Sequence, residues 1–362
     1  GSYYAVSDYK AINPEFGSLE DFKNLVATAH KNDIYVIVDW VPNHTGWDHP
    51  WIFEHPDYYT QNEAGEIIDP SNPETGASWG WTDTADLNYS NSAMRTAMID
   101  ALRYWVKTAD IDGYRMDVAH QVPVAFFEKA TASLQEIKPV FMLAEAEQPN
   151  LMEKAFDMHY AWEFHHLLND ISKGHKNLTE LDAYLSKMDT VLAADDINMN
   201  FITNHDENSW AGTLAERMPA QKEIFTALIY TLPGMPLIYS GQEYDLNHRL
   251  KFFEKDSFPK TKGAYFELLK KLGALKKTHP ALHGGKSAAA YKRLKTENSN
   301  IFAFKRGKAG REMCFIGNFS NETQQVQVGY GKLYTDYLQG ETLYLENAPI
   351  ELAPWAFKII IE

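Results

Sequence analysis

The 362-residue chain has a single cysteine, Cys314, so it carries no internal disulfide framework. It has no run of about 18 apolar residues, so nothing reads as a membrane-spanning helix. Positive charge is scarce. Against 49 Asp and Glu stand 34 Lys and Arg, and the net charge of −15 argues against nucleic acid or an anionic membrane as partner. That balance fits a neutral ligand, or simply a soluble surface. Internal repeats, low-complexity segments and a visible signal peptide are also missing, and the compartment is left open by the residues. HExxH and Cys/His ligand spacing do not occur, nor do a strand-following GxGxxG, a Walker loop or a GxSxG elbow. Zinc hydrolase, nucleotide and serine-hydrolase chemistry therefore have no motif to rest on.

What is present is ordinary globular composition, 44% apolar and 23% charged, in a length that suits one large domain plus a small one. Aromatics are abundant, and Trp47, Trp51, Phe53, Tyr58, Tyr59, Trp79 and Trp81 crowd into one stretch. They suit either a small packed subdomain or flat apolar platforms for sugar rings.

The pattern along the chain alternates strand and helix. "SLEDFKNLVATAHK" (18–31) opens with a capping box, Ser18 and Asp21, ahead of apolar residues at helical spacing. "IYVIVDW" (34–40) reads as a fully buried parallel strand. After an irregular segment, 41–90, come a helix capped by Ser90 or Asn91 and running to 109, a strand at 112–117, a helix at 123–136 and a strand at 140–145. A weak strand at 157–164, a helix at 178–188, "NFITNHD" (200–206) as strand, a helix at 220–231, "PLIYSGQE" (236–243) as strand and a helix at 262–277 follow. Such alternation implies a parallel sheet, doubly wound or closed as a barrel. From about 281, short strands such as "NIFAFKRG", "REMCFIGNF", "TQQVQVGYG", "ETLYL" and "WAFKIII" predict an antiparallel β-sandwich.

Polar residues collect at the ends of the expected strands: Asp39, Asn43 and His44; Arg115 and Asp117; Glu145; His205 and Asp206; Gln242 and Glu243. In "GYRMD" (113–117) strand alternation points Arg115 and Asp117 the same way, so the arginine is expected to keep the aspartate ionised. Any single acid at a strand end also suits a helix cap. Repetition at five successive loops favours a site for a neutral ligand, of the kind glycoside hydrolysis needs: one ionised carboxylate and one protonated carboxyl. Glu145 is expected to stay protonated through burial and neighbouring carboxylates.

These residues resemble the α-amylase family of glycoside hydrolases, over nearly the whole chain. "DWVPNH" (39–44), "TADLN" (84–88), "GYRMDVAH" (113–120), "LAEAE" (143–147) and "FITNHDEN" (201–208) look like that family's motifs, in its order. The resemblance implies an α/β fold: a (β/α)8 TIM barrel, with a small inserted domain B and a C-terminal antiparallel β-sandwich. The expected division is 1–44 and 89–280 for the barrel, 45–88 for domain B and 281–362 for the sandwich. It implies Asp117 as nucleophile, Glu145 as acid/base and Asp206 as the third carboxylate. Asp39, Arg115, His44, His205 and Tyr4 would hold the reacting sugar, with Arg249 a further contact. His44, His205 and Tyr4 have a packed interior as their lesser reading, and Arg249 suits a solvated surface as well as a substrate contact. Asn43 and Asp86 match family calcium ligands, although His120-Gln121 stands where the family often has Lys-His; no organic cofactor is implied.

The implied activity is retaining hydrolysis of α-1,4 bonds in an α-glucan such as starch. The alternatives are a transglycosylase, an α-1,6-acting enzyme or a non-catalytic carbohydrate-binding relative. A metal-dependent hydrolase built on Asp39, His44 and His205 is a further rival. A secreted or periplasmic setting is the expectation. The chain begins inside the connection after the family's second barrel strand, so a longer protein is expected, and six strands are not enough to close an eight-stranded barrel.

Overall fold

Ser18 opens the first regular element. Its hydroxyl accepts the Asp21 N–H at 3.2 Å, and Asp21 Oδ2 accepts the Ser18 N–H at 2.8 Å, closing the expected capping box of α1 (Leu19–His30). The structure, a computed structural model, describes all residues except 1, 73, 309, 328–332 and 345–348. They fall into two units, residues 1–160 and 161–362.

The first unit is built on parallel strands joined by helices. β1 (Ile37–Trp40) is followed by a two-stranded ribbon, β2 (His44–Gly46) with β3 (Thr84–Asp86). Then come α2 (Ser92–Ala109), β4 (Gly113–Met116), α3 (Val124–Gln135), β5 (Phe141–Ala144) and β6 (Met158–Tyr160). The four strands lie in the order β1-β4-β5-β6, with Asp39 opposite Arg115 and Arg115 opposite Leu143. Asn91 caps α2 by accepting the N–H groups of Ala93 and Met94. That helix buries Met94, Met98 and Leu102 in one core with Tyr114, Met116, Phe127 and Met142. Gly113 starts β4 because nothing larger fits: a Cβ there would lie 1.8 Å from the Phe141 carbonyl oxygen.

One expectation fails here. Residues 34–40 are not a fully buried strand. Only Ile37–Trp40 is strand, and Ile34 and Tyr35 are 58% and 82% exposed. Among the described residues β1 pairs on one side only, with β4, so its apolar run is covered on one edge.

The second unit starts with α4 (Trp162–Ser172), a helix that takes over the last three residues of the strand expected at 157–164, of which β6 keeps Met158–Tyr160. α5 (Leu178–Val191), β7 (Ile197–Asn200), α6 (Lys222–Thr231), β8 (Met235–Pro236) and α7 (Ala264–Thr278) follow, with β7 and β8 parallel. The strands expected at 200–206 and 236–243 are thus shifted. β7 ends at Asn200, leaving Phe201–Asp206 beyond it, and β8 stops at Pro236.

The C-terminal part is antiparallel, as expected. β9 (Tyr291–Leu294), β10 (Ile301–Lys308), β11 (Arg311–Asn318), β13 (Leu333–Asp336), β14 (Glu341–Tyr344) and β16 (Phe357–Ile361) form a sheet in the order β14-β13-β16-β11-β10-β9. β12 (Gln324–Val326) pairs with β15 (Ile350–Leu352). Alternation assigns the two faces. Phe302, Phe304, Met313 and Phe315 join the core that holds the helices, while Ile301, Ala303, Cys314 and Ile316 pack with Val326 and Leu352. The last residues of "TQQVQVGYG" and "ETLYL", and the central residue of the Lys308-Ala309-Gly310 turn, lie outside the described residues.

Candidate active site

Arg115 is the hub of the first unit's strand ends. Nη1 lies 2.9 Å from Asp39 Oδ1 and 2.7 Å from Asp117 Oδ1. Nη2 lies 2.6 Å from Glu145 Oε1, a close ion pair off the N–H direction, and Nε donates to the Tyr160 hydroxyl at 3.2 Å. Burial opposes the guanidinium charge, but Tyr160, Asp39, Glu145 and Asp117 outweigh it and hold its pKa well above the ordinary value. The carboxylates differ in access. The side chain of Asp39 is 60% exposed, that of Asp117 20% and that of Glu145 12%.

The backbone explains why the acids meet. Asp117 and Glu145 are each the first residue past a strand, and the ladder runs one rung further to fix them. The Asp117 N–H donates to the Trp40 carbonyl at 2.8 Å, and the Glu145 N–H to the Met116 carbonyl at 2.9 Å. The chain then turns sharply at Val118, whose φ and ψ of 45° and 42° are left-handed. That conformation is costly for a β-branched residue. It aims the Val118 N–H at Glu145 Oε2, 2.9 Å away. The surroundings of Glu145 therefore differ from the expectation. Burial and carboxylate neighbours are joined by a cation and a backbone donor, and both favour a carboxylate over a carboxyl.

His44 and Asn43 are 5% and 4% exposed. Burial holds His44 below the usual histidine range, with Asp117, the Tyr4 backbone and Asp83 pulling the other way. Tyr4 is half-buried and meets this histidine through its main chain. The aromatic cluster divides. Tyr58 and Tyr59 are core, whereas Trp79, Trp47 and Phe53 are exposed. Trp81 lies 5.7 Å from the His44 ring and stacks on Trp79 at 6.2 Å, and Trp79 donates to Gln121 Oε1 at 3.3 Å.

Asn43 and Asp86 occupy neighbouring rungs of the β2–β3 ribbon: His44 faces Asp86, and the Leu87 N–H donates to the Asn43 carbonyl. Burial pushes Asp86 up to about 6, the Thr60 hydroxyl offsetting part of this, and among the described residues no basic side chain pairs with it. A buried carboxylate of this kind suits a cation. Among the described residues no three His, Cys, Asp or Glu side chains gather in a metal-binding group, so a cation there needs amide and carbonyl oxygens as further ligands.

In the second unit, His205 and Asp206 sit in a helical turn past β7, with His205 Nε2 3.5 Å from Asp206 Oδ2. Glu207 anchors this turn. It lies 2.9 Å from His165 Nε2 and 3.7 Å from Arg217 Nη1, both groups buried, and Arg217 also donates to Asn169 Oδ1 and the Ile202 carbonyl. Arg249 is engaged by Glu216, with Nε 2.9 Å from Oε2. Gln242 and Glu243 brace their own loop: Gln242 Oε1 accepts the Tyr239 N–H, and Glu243 Oε2 the Gly241 N–H. Sequence reasoning passed over Val118, Tyr160, Glu207, His165 and Arg217. Glu207, inside "NHDEN", and Val118, inside "GYRMDVAH", stood where a motif drew the eye.

Comparison with known proteins agrees with the motif order. The family description "Alpha amylase, catalytic domain" matches residues 2–263. A cyclomaltodextrin glucanotransferase of Bacillus sp. (strain 17-1) is 30% identical over 351 residues, 86% of this chain and 47% of that protein. An α-amylase of Niallia circulans is 27% identical over 362 residues, 90% of this chain and 65% of its own length. The chain thus spans about half the length of the glucanotransferases it matches. Among solved structures, an α-amylase from Lactobacillus plantarum superposes with a TM-score of 0.86 at 26% identity, covering 100% of this chain and 86% of that one. A noncanonic maltogenic α-amylase from Thermotoga neapolitana gives 0.88 at 25%, covering 100% and 85%. With the parallel strands, the strand-end acids and the antiparallel C-terminal sheets already in view, the chain belongs to the α-amylase family.

Proposed function

We propose that the protein is a retaining glycoside hydrolase that cleaves α-1,4-glucosidic bonds of starch or maltooligosaccharides. The observation that carries this reading is the single guanidinium of Arg115 bridging Asp117 and Glu145. Two carboxyl groups drawn together in this way suit the short separation, about 5–5.5 Å, of retaining enzymes. Asp117 attacks the anomeric carbon and forms a glycosyl ester, while Glu145 gives a proton to the departing glycosidic oxygen. Glu145, now a carboxylate, takes a proton from water; the water oxygen attacks the same carbon and Asp117 leaves. The contacts to Glu145 from Arg115 and the Val118 N–H suit its carboxylate form, the form needed in the second step.

By their place in the motifs, we assign Asp206 to the hydroxyls of the reacting sugar and to its oxocarbenium-like transition state, with His205 and His44 as hydrogen-bonding partners and Tyr4 beneath the ring. We keep residues 45–88 as the inserted domain and 281–362 as the sandwich. Asn43 and Asp86 would hold a calcium ion, which would fix the β2–β3 ribbon beside His44 and neutralise the buried carboxylate. A transglycosylase is the second reading, favoured by the glucanotransferases among the relatives. It differs only in whether water or a sugar hydroxyl reaches the intermediate.

Product analysis on soluble starch, pullulan, maltotriose and maltoheptaose tests the assignment. Shorter maltooligosaccharides from starch support it, and products longer than maltoheptaose shift it to transglycosylation. Cleavage of pullulan alone moves it to α-1,6 bonds. Asp117→Asn should abolish turnover while maltoheptaose still binds, and activity that survives this change rejects the nucleophile.

A further inference from the structure

The strand register brings a third side chain level with the two acids. Asp39 stands opposite Arg115, Arg115 opposite Leu143, and Leu143 opposite Met158, so the four share one rung across β1, β4, β5 and β6. Two residues further along the last three strands come Asp117, Glu145 and Tyr160. A period of two keeps them on the face that carries Arg115. Tyr160 extends the row of acids onto the sixth strand, and it is buried there.

Tyr160 meets Arg115 in two ways. Its hydroxyl accepts the Nε–H at 3.2 Å, and the guanidinium carbon lies 5.6 Å from its ring centre, within cation–π range. Burial pushes the phenol up to about 12, with Arg115 pulling the other way. The hydroxyl is therefore neutral near pH 7, and it offers Nε an acceptor without adding negative charge to a group that already holds three carboxylates.

The guanidinium relies on this contact for its orientation. Nη1 is shared by Asp39 Oδ1 and Asp117 Oδ1, so those bonds meet at a single atom about which the fork can pivot. Nη2 meets Glu145 off its N–H direction, and a contact of that kind attracts more than it orients. Nε is the second fixed point. With Nη1 and Nε both bonded the rigid fork takes one plane, and that plane carries Nη2 to 2.6 Å from Glu145.

We propose that Tyr160 is a positioning residue for the reaction: its hydroxyl fixes the plane of Arg115 and, through that plane, the placement of Asp117 against Glu145. This deepens the proposed function and rests on it for the reaction. The rival is a core tyrosine whose hydroxyl merely finds a partner, which predicts a lower melt with the chemistry unmoved.

Tyr160→Phe keeps the ring and removes the hydroxyl. On maltoheptaose kcat should fall about tenfold with KM little changed, because a loosened fork disturbs the reacting acids more than ground-state binding. Both limbs of the kcat profile should move to higher pH, since a poorly placed cation favours the two carboxylates less. In an Arg115→Lys background, which lacks the fork, Tyr160→Phe should change kcat less than about twofold. A lower urea midpoint with unmoved kcat and pH profile overturns the proposal. A full tenfold loss in the Arg115→Lys background also overturns it, because Tyr160 would then act on its own. Should Tyr160→Phe fail to fold, meta-fluorotyrosine at this position keeps the shape and weakens the acceptor; a partial loss of kcat supports the proposal and a wild-type kcat overturns it. A parent inactive on every glucan counts against the proposed function instead. A carboxyl-carbon NMR titration of Asp117 and Glu145 then decides the positioning role by itself: values raised by Tyr160→Phe, or by meta-fluorotyrosine, support it, and unmoved values overturn it.

Discussion

Val118 donates its backbone N–H to Glu145 Oε2 at 2.9 Å from a left-handed conformation, φ 45°. The two facts belong together, because the turn that strains Val118 is what aims the donor. A β-branched residue in this region costs about 1–2 kcal/mol, and glycine adopts it freely at some entropic cost. Val118→Gly should therefore raise the unfolding free energy by up to about 1 kcal/mol in a urea titration. It keeps the N–H and should keep most of kcat. Replacing the Val118 amide by an ester removes only the donor, and it should shift the acid/base limb of the kcat profile toward higher pH. A stabilised glycine variant with an unmoved ester profile would mean that the strain exists but the hydrogen bond is idle.

Arg115 supplies the second test. Its side chain is 8% exposed and faces Asp39, Asp117 and Glu145. Removing the cation leaves three carboxylates facing one another without the charge they share, so Arg115→Ala should cost about 3–5 kcal/mol of stability. Arg115→Lys keeps the charge but loses the fork that spans two nitrogens. It should fold, since a charge remains, yet lose at least about a hundredfold in kcat because Asp117 and Glu145 are no longer held by one rigid plane. If Arg115→Lys keeps wild-type kcat, the bridge between the two acids is structural and nothing more.

Asp86 sets a pH dependence. Burial raises its carboxyl to about 6 in the folded chain, above the usual carboxylate value. A group raised in this way contributes stability that is fully present below its unfolded pKa, about 4, and is lost as pH rises through about 6. Without added cation, Asp86→Asn should flatten that loss and make the variant the more stable protein at pH 7.5, by about 2–3 kcal/mol at most. Added calcium should reverse the order, because only the wild type keeps the carboxylate ligand. Thermal melts at pH 4.5 and 7.5, with calcium and with chelator, check both halves. Equal melting of the two proteins in chelator at pH 7.5 would remove the buried-charge argument, and no calcium effect on the wild type would remove the metal.

How much of this was visible beforehand depends on range. The shared face of Arg115 and Asp117 follows from alternation within one short strand, so the sequence carries it. Glu145 likewise appears at its strand end, but its contact with Arg115 depends on side-chain reach and on the Val118 turn. No residue type announces that turn, since valine usually avoids it. The apolar run Ile34–Trp40 misleads because composition alone implies burial, while Ile34 and Tyr35 lie exposed ahead of β1, which among the described residues pairs on one side only. "NFITNHD" looked like a strand because Phe, Ile and Thr favour one. The strand is the preceding "INMN" (Ile197–Asn200), paired with β8, and "NHD" belongs to the loop beyond it. α4 hid behind its polar residues. His165 and Asn169 weaken the apolar stripe of "WEFHHLLNDIS", and they are buried only because Glu207 and Arg217 come from far along the chain to meet them.

Those distant partners make the last prediction. His165, Glu207 and Arg217 have side-chain exposures of 0%, 17% and 6%, so the charges they carry are balanced within the group. Burial lowers His165, while its own bond to Glu207 and that carboxylate's charge raise it. Burial raises Glu207, but His165 and Arg217 outweigh it and leave the carboxyl below its usual range. Glu207→Ala strands the Arg217 cation and should destabilise the protein by about 3 kcal/mol or more. Glu207→Gln keeps an acceptor for His165 without the charge and should cost about half as much. Because Glu207 is bonded directly to Asp206 along the chain, both changes should also lower kcat, and Glu207→Gln separates the two effects. If its kcat falls more than tenfold at a temperature well below its melt, Glu207 positions Asp206. If kcat is untouched while the melt drops, the network holds α4 to its neighbours and leaves the chemistry alone.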